Sequence, residues 1–124
     1  MMPFKIKRIY EAFDPDDGWR VLVDRVWPRG VSKEKARLDE WCKELAPSPQ
    51  LRNWFCHIPE KFDAFTVQYR AELDQNPEIQ EAIGQILGKS ANGQVTLLYS
   101  ARDTEHNQAV VLRDYLEEKA SHLS

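Results

Sequence analysis

The sequence predicts an α/β fold, in which residues 1–124 form a single three-layer domain with a small, mostly parallel central sheet flanked by helices. Two apolar, strand-like runs, Trp19 to Asp24 and Val95 to Tyr99, each lead into polar residues, and helical segments lie between them. Strands that alternate with helices are typical of parallel sheets. A chain of 124 residues provides one domain of ordinary size, so we expect one core.

The N-terminal part is predicted to contain two strands. Lys5 to Tyr10 alternates charged residues with isoleucines, and residues 14–18 (Asp-Pro-Asp-Asp-Gly) have the composition of a turn. The second strand follows, from Trp19 to Asp24. Because the connection is too short for a parallel crossover, we expect the two strands to be antiparallel if they are neighbours. One edge of the sheet would then be mixed.

The middle of the chain is predicted to contain three helices. Residues 30–45 stay open, because the spacing of the apolar residues fits a helix while local alternation also fits a strand. Ser48 and Pro49 are typical of a helix N-cap and of the first helical residue. The helices are marked by three apolar sets: Leu51, Trp54 and Phe55; Phe62, Phe65, Tyr69 and Leu73; and Ile79, Ile83, Ile86 and Leu87, with an end near Gly88.

The C-terminal part is predicted to supply the central strand and one more helix. Val95 to Tyr99 is a continuous β-rich run, which suits a strand that is covered on both faces. The final helix is expected to follow a cap at Asp103 or Thr104.

Composition and charge indicate a soluble, cytoplasmic globular protein. Hydrophobic residues make up 42% of the chain and charged residues 30%, without a run of about 18 apolar residues or a signal-peptide core. The net charge of −3 argues against nucleic-acid binding as the main function. Up to Arg37, however, nine Lys or Arg residues oppose six Asp or Glu residues, whereas eight oppose fourteen from Leu38 onward. This asymmetry is compatible with a local anion site.

Polar residues follow both strong strands, and they are the candidate site. In parallel sheets the carboxyl ends of the strands meet at one edge, where ligands usually bind. Arginine side chains hold carboxylates and phosphates with planar donors, and a helix start attracts anions as well. We therefore expect a small anionic ligand, bound by Arg25, Trp27, Arg29 and Gly30 from the first loop and by Ser100, Arg102, Asp103 and Asn107 from the second.

Catalysis stays open at this point. Asp24 and His106 are the candidates for proton transfer, with Asp103 orienting His106 or capping the helix. The Cys56-His57 pair is disfavoured as a nucleophile and base, because adjacent helical residues point about 100° apart. Neither a metal-binding Cys-x-x-Cys pair nor a Gly-rich nucleotide motif occurs, so no metal is expected and the sequence indicates no particular cofactor.

Two other functions remain as alternatives. In the first, the chain is a noncatalytic interaction module in which Trp27, Trp54 or the corner at residues 47–49 joins a dimer or partner surface. The loop after the first strong strand also has a purely structural interpretation, in which Arg25 pairs with Asp24 or another acid, Trp27 is a core residue and residues 28–30 form a turn. The second and weaker alternative is nucleic-acid binding by the basic N-terminal segment. The sequence does not determine the oligomeric state.

The chain resembles the YeaO-like family of bacterial proteins, a domain-of-unknown-function family. The matching pieces keep their order along the chain: residues 17–30 (Asp-Gly-Trp-Arg-Val-Leu-Val-Asp-Arg-Val-Trp-Pro-Arg-Gly), Trp41 with residues 43–48, and residues 69–73, 97–101 and 106–112. The resemblance implies an α/β, three-layer, cytoplasmic domain without an established activity. The transferred labels of uroporphyrin-III methyltransferase and MarR-type regulator lack support in these residues. Cys56 stands where the family often has glycine, which further weakens a cysteine-based mechanism.

Overall fold

The computed structural model describes residues 4–123 and shows an α/β fold around a parallel sheet. The strands are β1 (Phe4–Arg8), β2 (Trp19–Leu22), β3 (Glu40–Trp41) and β4 (Val95–Tyr99). The helices are α1 (Lys33–Ala36), α2 (Pro49–Phe55), α3 (Phe62–Gln75), α4 (Pro77–Asn92) and α5 (Gln108–Leu123). Single 3-10 turns cover Pro15–Asp17, Lys43–Leu45 and Pro59–Lys61. Within the described range, each helix is too short or too polar to cross a membrane.

The strands lie in the order β1-β4-β2-β3, and each neighbouring pair is parallel. β4 is buried along its whole length between β1 and β2, as its apolar sequence predicted. The expectation of a mixed edge was wrong, because β4 separates the first two strands. The connection over residues 9–18 is therefore a parallel crossover that contains only a 3-10 turn. A hydrogen bond of 2.9 Å from the Trp19 backbone N–H to the Gln94 carbonyl joins its end to the start of β4.

Alternate residues of the two central strands enter different cores. Val21 and Leu97 pack with buried residues of α2, α3, α4 and α5 on one face of the sheet. Leu22 and Leu98 pack on the other face with Ala36 of α1 and with half-buried residues of the loops around it. The three predicted layers are thus unequal, since one face carries four helices and the other a single short helix with loops.

The local signal for the start of α2 is confirmed. The Ser48 side chain accepts a hydrogen bond of 3.2 Å from the Leu51 backbone N–H, as expected of an N-cap. α4 continues past Gly88 to Asn92, because one glycine in a helix costs only about 1 kcal/mol and packing of the helix offsets it. Residues 30–45 contain both alternatives, a helix (α1) and a strand (β3).

A buried charge cluster fixes the turn before β2. Asp17 accepts hydrogen bonds from Arg20 and from Lys7, the latter at 2.9 Å. The Arg20 guanidinium also donates to the carbonyls of Ala36, at 2.8 Å, and Arg37, at 3.2 Å. Each of the three guanidinium nitrogens of Arg20 therefore donates a hydrogen bond that holds this turn.

Candidate functional site

A cleft of about 640 Å³ opens beyond the carboxyl ends of β2 and β4. Its walls are the loop after β2, the loop after β4, part of α2 and the first residue of α5. The lining includes seven predicted site residues: Asp24, Arg25, Trp27, Arg29, Ser100, Arg102 and Asp103. Gly30, His106 and Asn107 lie outside the lining. The structure thus brings the two predicted loops together around one space.

Asp24 connects three elements at the base of the cleft. One carboxylate oxygen accepts hydrogen bonds from the Ser100 backbone N–H at 3.0 Å and the Ser100 Oγ at 2.6 Å, and the other accepts one from the Gln108 amide. Burial raises the pKa of Asp24 above its ordinary value, while the hydrogen bonds from Ser100 and the charge of Arg52 oppose that rise. Both oxygens are therefore engaged in holding the strand ends. The catalytic role predicted for Asp24 remains a prediction.

Asp103 is engaged in a local turn. One of its oxygens accepts the backbone N–H groups of Glu105 and His106, each at 2.9 Å, and these bonds hold its pKa below the ordinary value. Its other oxygen lies 2.9 Å from Nδ1 of His106. The His106 ring also packs edge-on against Phe62, at 5.3 Å between ring centres. Asp103 thus contacts the His106 ring, but the imidazole lies against α3 instead of lining the cleft, and the orienting role of Asp103 stays a prediction.

Asn107 is the cap of the final helix. Its side-chain oxygen accepts the Val110 backbone N–H at 3.1 Å, and its side-chain nitrogen donates to the Asp103 carbonyl at 2.8 Å. The expectation of a cap at Asp103 or Thr104 was therefore wrong, because Asp103 closes the preceding turn and the helix begins only at Gln108. Asn107 is fully buried.

Trp27 and Gly30 shape the loop after β2. The Trp27 indole donates to the Val31 carbonyl at 2.7 Å and packs edge-on against Trp41, at 5.2 Å between ring centres. Trp27 is thus a wall residue that also belongs to the smaller core. Gly30 has the expected positive φ, +75°, which reverses the chain at the end of the motif.

Four arginines line the cleft, and their environments differ. Arg25 is half-buried, with its Nη2 donating to the carbonyls of Ala46, at 3.4 Å, and Pro47, at 3.3 Å. Arg29, Arg52 and Arg102 are exposed, and their side chains make neither hydrogen bonds nor ion pairs with residues 4–123. The cleft therefore presents cationic groups that the protein itself leaves available.

Sequence reasoning missed the wall that α2 contributes. Arg52 and Phe55 are three residues apart, a spacing that places them on one helix face, and both line the cleft. This spacing was visible in the sequence, but nothing local shows that this face meets the loop after β2. Gln108 was missed for the same reason, since only the packing of α5 brings it to Asp24.

His57 lines the cleft and belongs to a turn with an unusual backbone conformation. Cys56 and His57, directly after α2, both have left-handed backbone, with φ of +48° and +56°. Glycine adopts this conformation without the steric cost that other residues incur. Cys56 therefore occupies a backbone conformation that glycine would adopt more easily.

The described residues hold no group of three or more His, Cys, Asp or Glu side chains suited to a metal ion.

Comparison with known proteins finds one matching family model and relatives that are named as uncharacterized proteins. Residues 3–124 match the family model described as "Inactive DUF488-N3 subclade". The chain is 43% identical over 115 residues to "Uncharacterized protein YeaO" of Escherichia coli (strain K12), covering 93% of this chain and 97% of that protein. It is 42% identical over 112 residues to "Uncharacterized protein Rv3073c" of Mycobacterium tuberculosis (strain ATCC 25618 / H37Rv), covering 90% and 92%. No solved structure matches the chain significantly.

Proposed function

Since this chain belongs to the inactive DUF488-N3 subclade, a YeaO-like family of unknown function, we propose that its cleft binds a small anionic ligand without transforming it chemically. The description of the subclade as inactive disfavours catalysis. The engaged carboxylate of Asp24 and the position of His106 outside the cleft agree with that preference.

The unequal use of charges in the cleft carries the proposal. Asp24 and Asp103 have their oxygens occupied by donors of the protein. The guanidinium groups of Arg29, Arg52 and Arg102 have no hydrogen-bond acceptor or carboxylate partner within residues 4–123. A cleft with satisfied acids and available guanidinium groups attracts an anion, and planar donors suit carboxylates and phosphates.

The size and the wall of the cleft restrict the ligand further. A volume of about 640 Å³ falls within the range of small-molecule sites, roughly 300–1,000 Å³. Phe55, Phe65 and Pro47 contribute an apolar part of the lining. The ligand we expect is therefore an anionic group attached to a compact apolar body.

Thermal unfolding with a set of anions tests the proposal. Inorganic phosphate, pyrophosphate, citrate and benzoate are added at matched ionic strength, and the melting temperature is measured for the native protein and for Arg52→Gln and Arg29→Gln. We expect at least one anion to raise the melting temperature, with a smaller rise in both variants.

Arg113→Gln is the matched control, because Arg113 lies on α5 and pairs with Asp114 away from the cleft. Phosphate and citrate also stabilise proteins nonspecifically, and that effect is common to all the variants. Equal stabilisation of the native protein and of the two cleft variants would refute the proposed site.

An interaction module remains the second candidate, and one observation favours it. Trp54, near the end of α2, and Ile58, three residues beyond this helix, are 41% and 38% exposed. The Lys61 ammonium lies 4.9 Å from the centre of the Trp54 ring and covers part of it. Light scattering of the native protein and of Trp54→Gln tests this function: a Trp54-dependent dimer would support it, and monomers in both would count against a self-association surface.

A further inference from the structure

We infer that Arg25 is the residue that recognises the anion, through the edge of its guanidinium that carries Nε and Nη2, and that its position against Ala46 and Pro47 is a resting position. This inference rests on the proposed function and deepens it. It separates Arg25 from the other three arginines of the cleft, which attract the anion from exposed positions.

The hydrogen bonds of Arg25 are incomplete. Its Nε is shielded from solvent and has no hydrogen-bond partner within residues 4–123. Its Nη2 donates to the carbonyls of Ala46 and Pro47 only at 3.4 Å and 3.3 Å, beyond the usual range for N–H···O bonds. Buried donors of native proteins are nearly always paired, so an orphaned Nε indicates that its partner is something other than the protein.

Two cavities border Arg25. Arg25 and Ala46 line the cleft and also line a second cavity of about 570 Å³, so residue 25 lies at the boundary of both spaces. In the bound state of this inference, the Arg25 side chain turns its Nε edge toward the cleft. The two weak bonds to carbonyls are the contacts that this movement gives up.

The geometry of the donors specifies the chemistry of the ligand. The Nε–H and one Nη2–H of a guanidinium are parallel, and together they fit two oxygens of a carboxylate or a phosphate. A lysine ammonium offers the same charge without this edge. An exposed arginine such as Arg52 contributes mainly through its charge, which salt screens. Arg25 therefore recognises the oxyanion through the geometry of its paired Nε–H and Nη2–H donors, whereas the other three arginines attract it through their charge.

Isothermal titration of the native protein, Arg25→Lys and Arg52→Lys distinguishes these roles. Phenyl phosphate and benzoate serve as probes, so that the phosphate and carboxylate forms of an oxyanion on a compact apolar body are compared directly. We expect Arg25→Lys to weaken the binding of the preferred probe at least about tenfold, as the loss of one bidentate contact does, and Arg52→Lys to weaken it less than about threefold.

The outcomes separate this inference from the proposed function. If the native protein binds neither probe, the anion site itself fails, and this inference fails with it. If the native protein binds a probe and Arg25→Lys binds it within threefold of the native affinity, the site stands and the role of Arg25 is refuted. An equal loss in both lysine variants also refutes it, because the arginines would then act alike.

A stability measurement separates recognition from a purely structural role. Arg25→Met removes the orphaned donor and keeps much of the side-chain volume. We expect the melting temperature of the unliganded variant to be at least equal to that of the native protein, while the rise produced by the preferred probe disappears. A structural Arg25 predicts the opposite pattern, in which the unliganded variant melts earlier and the probe still raises its melting temperature.

The Nε–H proton gives a direct readout in the native protein. In a nitrogen-15 NMR spectrum assigned with Arg25→Lys, the Arg25 Nε–H resonance is expected to move downfield when the preferred probe is added, since it gains a charged acceptor. An unmoved Arg25 resonance at saturating probe would overturn the inference.

Discussion

The carboxylate of Asp24, which follows β2, accepts two hydrogen bonds from Ser100, which follows β4: one from the backbone N–H at 3.0 Å and one from Oγ at 2.6 Å. The two neighbouring parallel strands are thereby tied together just beyond their carboxyl ends. Gln108 adds the start of α5 to the same carboxylate. The cleft therefore has a fixed base, and the arginines around it are presented from elements that this base holds in place.

Asp24→Ala is expected to lower the free energy of unfolding by about 2–3 kcal/mol, because donors of Ser100 and Gln108 lose their acceptor in a buried place. Urea denaturation measures the change. Asp24→Asn is the matched control, since it keeps one oxygen and should lose less. A native urea midpoint for Asp24→Ala would contradict the structural role.

The stability difference between the native protein and Asp24→Asn should depend on pH. Burial raises the folded-state pKa of Asp24 above 3.8, so the folded protein holds this proton more tightly than the unfolded chain does. The native protein should therefore lose stability relative to Asp24→Asn as the pH rises from 3.8 through the raised pKa, and the difference should be constant above it. Urea midpoints from acid to neutral pH test this. A relative gain in stability with rising pH would contradict the raised pKa.

Asp17→Ala is expected to destabilise the protein by about 3–5 kcal/mol, because it leaves the guanidinium of Arg20 buried without its counter-charge. Glu118→Ala is the control. It breaks an exposed ion pair with Arg70, which should be worth less than about 1 kcal/mol. Urea denaturation of both variants compares the two pairs, and similar losses would show that burial of the Asp17 pair has little effect.

Gly18→Ala should destabilise the protein by more than about 2 kcal/mol, because φ is +67° and an added Cβ would lie 2.1 Å from the Gln94 carbonyl oxygen. Gly30→Ala has a similar φ, +75°, with no heavy atom within 4 Å of the added Cβ, and should cost only about 1–2 kcal/mol. Thermal or urea unfolding ranks the two variants. The reverse order would mean that the contact with Gln94 relaxes easily.

The two cysteines should differ in reactivity. Cys42 is buried, and burial together with the hydrogen bond to Glu44 raises the pKa of its thiol to about 12, whereas Cys56 is exposed. A thiol reagent at neutral pH is expected to modify Cys56 rapidly and Cys42 only after unfolding, because the thiolate is the reactive form. Cys56→Ser should abolish the rapid phase. A rapid phase that survives in Cys56→Ser would place the reactive thiol at Cys42.

Local patterns were sufficient for much of the fold. The apolar run at Val95–Tyr99, the helical stripe from Phe62 to Leu73 and the cap at Ser48 each depend on residues within a few positions of one another. The predictions failed where contacts with residues outside the local pattern determine the strand order or the helix cap. β4 lies between β1 and β2, so these two strands are not neighbours. The Asp103 side chain accepts a hydrogen bond within the turn before α5, and Asn107 caps the helix instead.

For the candidate site, the sequence by itself placed polar residues after β2 and β4, because the change from apolar to polar residues at a strand end is visible in consecutive residues. It also supplied Arg25, Arg29 and Arg102. Only the tertiary structure added Arg52, His57 and Gln108, since helix packing brings those side chains to the cleft. It also decided which charges are available. Asp24 and Asp103 are occupied by donors from other positions, while the Arg25 Nε is left without a partner among the described residues. Hydrogen-bond satisfaction depends on distances across the fold, which residue order alone does not contain.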